Sequence, residues 1–287
     1  MVPRVYVRQF QLLTEADEAN FFKELKRTCY QGVYPYKLFP DKELETIEFA
    51  PMTIFYGGNG SGKTTLLNLL AEKAGVQRHA RFNGSAFFQQ YVRSCSLDGR
   101  VPAGSQILTS DDVFDSILDL RCLNDGIDVR REALFEEFTE RKYAHCQLRS
   151  MAEFEDFRDS CDAKSKSQSQ FVRDRLMQNV AMHSNGESAM EYFVEHITEN
   201  ALYLLDEPEN SLSIERQEDL AQFLFDSVRH FGCQIVMATH SPVLLAIPDA
   251  KIYDLDTVPV EPKPWTELEN VRRYFDFFMA HRSEFER

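Results

Sequence analysis

The chain has no apolar run of signal-peptide length at its start and no stretch reaching the roughly 18 residues of a membrane span, so neither a secretory leader nor a fused permease is expected. The longest apolar candidate, 235–247, is interrupted by His240, Ser241 and Pro242. Basic residues are in deficit, with 32 Lys plus Arg against 46 Asp plus Glu and a formal charge of −14, which opposes a polyanion at long range. Cysteine is sparse, six in 287 residues, and no Cys-x-x-Cys pair occurs. That pattern predicts reduced, metal-free thiols and a cytosolic setting. Also missing are a repeat of fixed period, a long heptad stretch between Val76 and Ala181, an Asn-Lys-x-Asp guanine signal and any acceptor-pocket motif. These absences argue against a long coiled-coil arm, and disfavour a GTPase or nucleoside kinase. What is present, 43% hydrophobic and 12% aromatic residues, suffices for a full core in one elaborated domain, or a domain with a subdomain.

Periodicity sets the organisation. Arg4 to Leu12 alternates like a strand, and Thr46 to Tyr56 ends in a β-branched and aromatic run that stops at two glycines. Thr64 to Ala74 reads as a largely buried helix capped by Gly75. Between Val76 and Gly104 no period dominates, with strand-like pieces around Ala86 to Val92. From Val113 to Met182 the chain is helical and charged, which predicts a helical subdomain inserted at about 107–182. Within it, Lys164 to Gln170 reads as an exposed loop or helix edge. Ala201 to Leu205 and Ile235 to Ala238 are buried parallel strands in pattern, separated by a helix over Ile214 to Phe231, and Trp265 to Phe285 reads as a final helix.

Chemistry concentrates at five patches. Gly57-Gly58-Asn59-Gly60-Ser61-Gly62-Lys63-Thr64 matches G-x-x-x-x-G-K-[ST] between a predicted strand and a predicted helix, the context a phosphate loop needs. Its glycines allow backbone N–H groups to curl around a β-phosphate at a helix N-terminus. Lys63 is expected to bridge the β- and γ-phosphates and Thr64 to ligate Mg²⁺. Asp206-Glu207 closes a buried strand, with Asp206 placed for Mg²⁺ and Glu207 to orient and deprotonate the attacking water. His240 closes the next strand, where its imidazole would meet either the γ-phosphate or that water. Ser184-Asn185-Gly186-Glu187 reads by itself as a helix cap. Gln106 follows the phosphate loop and precedes the helical stretch.

Together these patches resemble the ATP-binding-cassette class of ATPases, in particular the soluble group related to SMC and RecF heads, and a family of small stand-alone predicted ATPases. That family's pattern runs G-E-N-G-S-G-K-S-T, S-H-G-E-S, Y-L-L-D-E-P-E-x-x-L-S and A-T-H-S-P-x-L-L; here Gly57 to Thr65, Ser184 to Ser188, Tyr203 to Ser213 and Ala238 to Leu245 answer to it. The similarity is good over 46–75 and 182–256 and weak between. It implies a P-loop NTPase fold with an ABC-like mixed sheet, Mg²⁺-dependent ATP hydrolysis, and a homodimer closing around ATP. It also implies that Ser184, Gly186 and Glu187 of one copy cap the γ-phosphate in the other. Gln106 resembles the Mg²⁺-sensing glutamine, with Gln89 and Gln90 as competitors, and Asn210 to Ser213 would face the partner's site. Gly58 stands where the family has Glu, and Asn185 where it has His; neither change removes a phosphate or metal ligand.

Three readings stay open. The first is an ATP-gated dimeric switch for an effector protein. The second is a DNA-repair or phage-defence ATPase clamping nucleic acid, for which Arg78, His79, Arg81, Arg93 and Arg100, or Arg141, Lys142 and Arg149, would supply a basic stripe or simply solvated charge. The third is a non-hydrolysing scaffold. Tyr34, Tyr36 and Phe39 lie where an aromatic would stack on adenine, or serve as core.

Overall fold

The structure, a computed structural model, describes residues 3–25, 32–144, 151, 154–181 and 184–286; Cys29, Cys146, Arg149 and Met182 lie outside them. The chain forms two compact units, residues 1–114 with 185–287, and residues 115–184.

In chain order the elements are β1 (Val7–Gln11), α1 (Glu15–Glu24), β2 (Thr46–Glu48), β3 (Met52–Tyr56), α2 (Lys63–Ala74), α3 (Phe88–Ser94), β4 (Ser96–Gly99), β5 (Gln106–Thr109), α4 (Ser110–Tyr143), α5 (Phe154–Ser165), α6 (Gln168–Arg173), α7 (Asn185–His196), β6 (Leu202–Asp206), α8 (Ile214–His230), β7 (Gln234–Ala238), α9 (Pro242–Leu245), β8 (Lys251–Asp254), α10 (Glu269–Ala280) and α11 (Arg282–Phe285).

In the first unit, β5-β6-β7-β3-β8 form a parallel sheet, and β2-β1-β4 an antiparallel one. Strands of both directions are therefore present, segregated into two sheets. The interior strands of the parallel sheet are nearly continuous apolar runs because both faces are covered; every residue of β3 and β7 is buried. Leu66, Leu67, Leu69 and Leu70 of α2 are fully buried in the same core as Phe55, Leu204 and Val236. Gly75 ends α2 in a left-handed conformation, its N–H donating to Ala71 O.

One buried polar side chain ties the sheets together. At the start of β7, Gln234 Oε1 accepts from Tyr6 N at 2.8 Å and Val7 N at 2.9 Å, while Nε2 donates to Val7 O at 2.8 Å. All its hydrogen-bonding capacity is directed at backbone, as a buried amide requires.

The strand-like reading of Ala86 to Val92 is corrected to the helix α3. Phe88, Tyr91 and Val92 stand three and four positions apart and bury one face, a helical period in a segment only seven residues long.

The second unit has its own small core of Leu134, Phe138, Ala163, Phe171 and Val172. Ser167, within the polar run, is the N-cap of α6: it accepts from Gln170 N, and Gln170 reaches back to it. Ion pairs link α5 to the residues flanking α6, with Arg175 bridging Asp159 and Asp162 and Lys166 bridging Asp162 and Asp174.

Candidate active site

The C-terminal ends of the three interior strands carry the candidate site. β3 runs into the phosphate loop, β6 ends at Asp206, and β7 leads to Thr239 and His240. Parallel register sets Asp206 beside Ala238, and Phe55 also beside Ala238, so the three ends lie level.

The loop is preshaped by two glycines. Gly62 caps α2 at φ +99°, and a Cβ there would meet the Leu38 side chain at 3.2 Å. A Cβ on Gly57 would lie 2.6 Å from Ser61 Oγ. Asn59 and Gly60 form the exposed tip, whereas Ser61, Lys63 and Thr65 are buried. Lys63 Nζ donates to Gly57 O at 2.7 Å and Gly58 O at 3.1 Å, and stands 3.8 Å from Glu207 Oε1. Ser61 Oγ is buried with no hydrogen-bond partner, and Asp256 Oδ2 accepts from Gly58 N at 2.7 Å. The loop thus presents an ammonium, an unsatisfied hydroxyl and a helix N-terminus together, an arrangement suited to a polyphosphate.

Across from it, Thr64 Oγ1 donates to Asp206 Oδ1 at 3.1 Å. Burial pushes the Asp206 carboxyl up to about 6; the Thr64 hydrogen bond and Lys63 pull against that, and Glu207 and Glu209 add to it. A half-buried carboxylate beside a hydroxyl is a fitting half-shell for Mg²⁺, which takes one or two protein oxygens and completes its sphere with phosphate and water. No group of three or more His, Cys, Asp or Glu stands ready to hold a metal unaided among the described residues.

Glu207 adopts φ +47°, in the left-handed region that a non-glycine residue occupies at a cost. Its N–H donates to Ala238 O at 2.9 Å, and Asn210 Nδ2 donates to its Oε2 at 3.3 Å. His240 Nδ1 lies 3.9 Å from Glu207 Oε1 and 3.2 Å from Glu209 Oε1. Lys63, Thr64, Asp206, Glu207 and His240 are therefore one cluster.

The remaining expectations fare differently. Ser184 is the last residue of the second unit, and α7 begins with Asn185. Gly186 packs against Ser211, its Cβ position 3.4 Å from Ser211 O, and Glu187 pairs with Arg216 at 3.5 Å. Gln106 is corrected: it opens β5 opposite Tyr203, three rungs from the Thr109–Asp206 pair, and its Nε2 donates to His196 O at 2.6 Å. A parallel strand carries its first residue to the edge of the sheet away from the site. Of its competitors, Gln89 donates to Glu72 on α2 and Gln90 is exposed on α3. Tyr36 and Phe39 are core, whereas Tyr34 is partly exposed, and its hydroxyl donates to Thr65 Oγ1 at 2.9 Å beside the loop.

Two residues escaped the sequence reading, and a third was read as surface charge. Glu209 lies beneath His240, and Asp256 holds Gly58. Arg78, grouped above with surface charge, is half-buried, stacks on Phe82 and donates to Asn68 Oδ1 at 2.6 Å. Only Glu209 had a sequence signal, as the second acid of Asp-Glu-Pro-Glu.

One family model matches part of the chain. Residues 180–246 match the family described as AAA domain, putative AbiEii toxin, Type IV TA system. No curated protein matches the chain. Among solved structures, the chain is similar to the Smc head domain of Pyrococcus furiosus bound to the C-terminal domain of ScpA, at 16% identity and TM-score 0.43 over 96% of this chain and 99% of that one. The SMC head domain from Thermotoga maritima follows at 13% identity and TM-score 0.42, covering 91% and 99%. A putative metal-chelate type ABC transporter has 16% identity and TM-score 0.38, covering 77% and 76%. The parallel sheet, the strand–glycine loop–helix unit and the family match over the second half of the site together make this chain a P-loop ATPase-type domain.

Proposed function

We propose that the chain binds Mg·ATP, hydrolyses it, and acts as an ATP-gated dimeric switch for a protein partner. The observation that carries this reading is the single cluster in which Lys63 stands 3.8 Å and His240 3.9 Å from Glu207, with Thr64 and Asp206 3.1 Å apart beside them. Mg²⁺, held by Thr64 and Asp206, would supply charge neutralisation to the phosphates. Lys63 binds the β- and γ-phosphates, and Glu207, held by Asn210, orients and deprotonates the attacking water. Ser184, Gly186 and Glu187 complete the site of a second copy, and Tyr34 borders the nucleotide. The helical unit 115–184 is the part assigned to the partner.

Glu207→Gln tests this directly. ATP turnover is expected to fall by roughly 10²–10⁴-fold with ATP binding retained, and light scattering is expected to show a dimer only with Mg·ATP. Equal, slow turnover in both proteins sinks the enzyme reading and leaves a nucleotide-dependent scaffold; a monomer with ATP bound sinks the paired site. Nucleic-acid clamping draws little support, because Arg78 is engaged by Asn68 and Phe82, and Arg141 by Glu137 and Asp159. The toxin description of the matched family bears on residues 180–246, which hold ATPase elements, and assigns no target.

A further inference from the structure

Glu209 is a buried acid with no part in the cluster just described, yet its Oε1 gathers three groups. It accepts from Thr239 Oγ1 at 2.6 Å and from His240 N at 2.9 Å, and it lies 3.2 Å from His240 Nδ1. Thr239 Oγ1 itself accepts from Ser241 N at 3.0 Å, so its one hydrogen is committed to Glu209. Glu209 Oε2 is buried and has no hydrogen-bond partner. Anchoring the backbone turn after β7 requires only the bonds from Thr239 and the His240 amide. It does not require the imidazole to lie against the same oxygen.

That placement has a chemical consequence. A carboxylate oxygen 3.2 Å from Nδ1 disfavours a bare lone pair there and favours an Nδ1–H by charge, and Glu207 Oε1 at 3.9 Å acts in the same sense. A neutral imidazole carries one proton. With that proton on Nδ1, Nε2 holds the ring's lone pair and accepts hydrogen bonds without donating them.

We infer that Glu209 is a positioning residue that fixes the His240 ring with its proton on Nδ1, so that Nε2 accepts from the attacking water beside Glu207. This rests on the hydrolytic reading of the site. For the neutral ring it selects the water role of the two the sequence left open for His240, because a phosphate oxygen needs a donor and a water hydrogen needs an acceptor. The arrangement is a hydrogen-bonding one and transfers no proton to the ring.

The test combines a spectroscopic and a kinetic measurement on the full chain. Nitrogen-15 NMR of histidine-labelled protein, with His240 assigned by its loss in His240→Ala, is expected to show the Nδ1–H tautomer in wild type. Glu209→Gln should preserve it, because the Thr239 hydroxyl and His240 amide select the carboxamide oxygen as acceptor; Glu209→Met should lose it. Glu209→Met should lower kcat by roughly 10–100-fold with KM for ATP little changed, and Glu209→Gln should restore most of the rate. On a His240→Ala background, Glu209→Met should cost nothing further. An Nε2–H tautomer in wild type overturns the inference, and so does a further loss on the His240→Ala background. If His240→Ala hydrolyses ATP like wild type, the role of His240 in hydrolysis fails, while the tautomer still decides whether Glu209 holds the ring. Should Glu209→Met not fold, the wild-type tautomer and the Glu209→Gln rate remain decisive.

Discussion

The Thr64 hydroxyl and the Asp206 carboxylate meet at 3.1 Å across 142 positions of sequence, one on the first turn of α2 and the other on the last residue of β6. Asp206 is at the same time the titratable group of the cluster whose burial acts most clearly against its charge, raising it from 3.8 to about 6.

That shift predicts a pH-dependent stability change. Below about pH 4 the carboxyl is neutral in folded and unfolded chains alike; between there and pH 6 the unfolded chain ionises first, so folding loses stability as pH rises, and above 6 the loss is complete. Asp206→Asn, which keeps an acceptor for Thr64, should therefore stabilise the metal-free fold above pH 6, by up to about 3 kcal/mol, with the gain vanishing near pH 4. Calorimetry across that range checks it, and a gain constant with pH counts against it.

Lys63→Met should weaken Mg·ATP binding by at least roughly tenfold, since the lysine is the loop's positive charge and its removal leaves the triphosphate to Mg²⁺ and backbone dipoles. Titration calorimetry reads this without reference to turnover.

Gly57→Ala should damage binding through shape rather than charge. Its added Cβ would stand 2.6 Å from Ser61 Oγ and 2.8 Å from Ser61 Cβ, so the loop must open to admit it. The expected result is loss of nucleotide binding with circular dichroism unchanged; wild-type affinity would show that the loop relaxes freely.

Glu207→Gly should separate stability from activity. Glycine occupies φ +47° without the Cβ clash that costs about 1–2 kcal/mol for other residues. The variant is expected to melt no lower than wild type while losing turnover. A clear fall in melting temperature would show that the Lys63 and Asn210 contacts of Glu207 outweigh the backbone strain.

How much of this was legible beforehand depended on whether the information was local. The phosphate loop announces itself because strand, glycines, Lys63 and helix are contiguous, and Asp206 and His240 because each terminates an unbroken apolar strand. Gln106 misled because its position after the loop says nothing of which end of β5 faces the site; that is a matter of register with Tyr203 and Asp206. Asp256 was missed because its relation to Gly58 is set by the sheet and invisible in spacing, and Glu209, though it stands in Asp-Glu-Pro-Glu, because its partners Thr239 and His240 lie past the end of another strand. Helix α3 was too short for its period to stand out. Tyr36 and Phe39 could not be told from stacking residues until packing placed them in the core.

The strand order adds a property of motion. β3, β6 and β7, which carry the phosphate loop, the acidic pair and His240, each have a hydrogen-bonded neighbour on both sides, while the edge positions fall to β5 and β8. Sheets fray from their edges, and amide protons of interior strands exchange only through large-scale opening. The mounts of the site should thus be the slowest-exchanging amides of the first unit, and thermal fluctuation at either edge leaves the spacing of Lys63, Asp206 and His240 undisturbed.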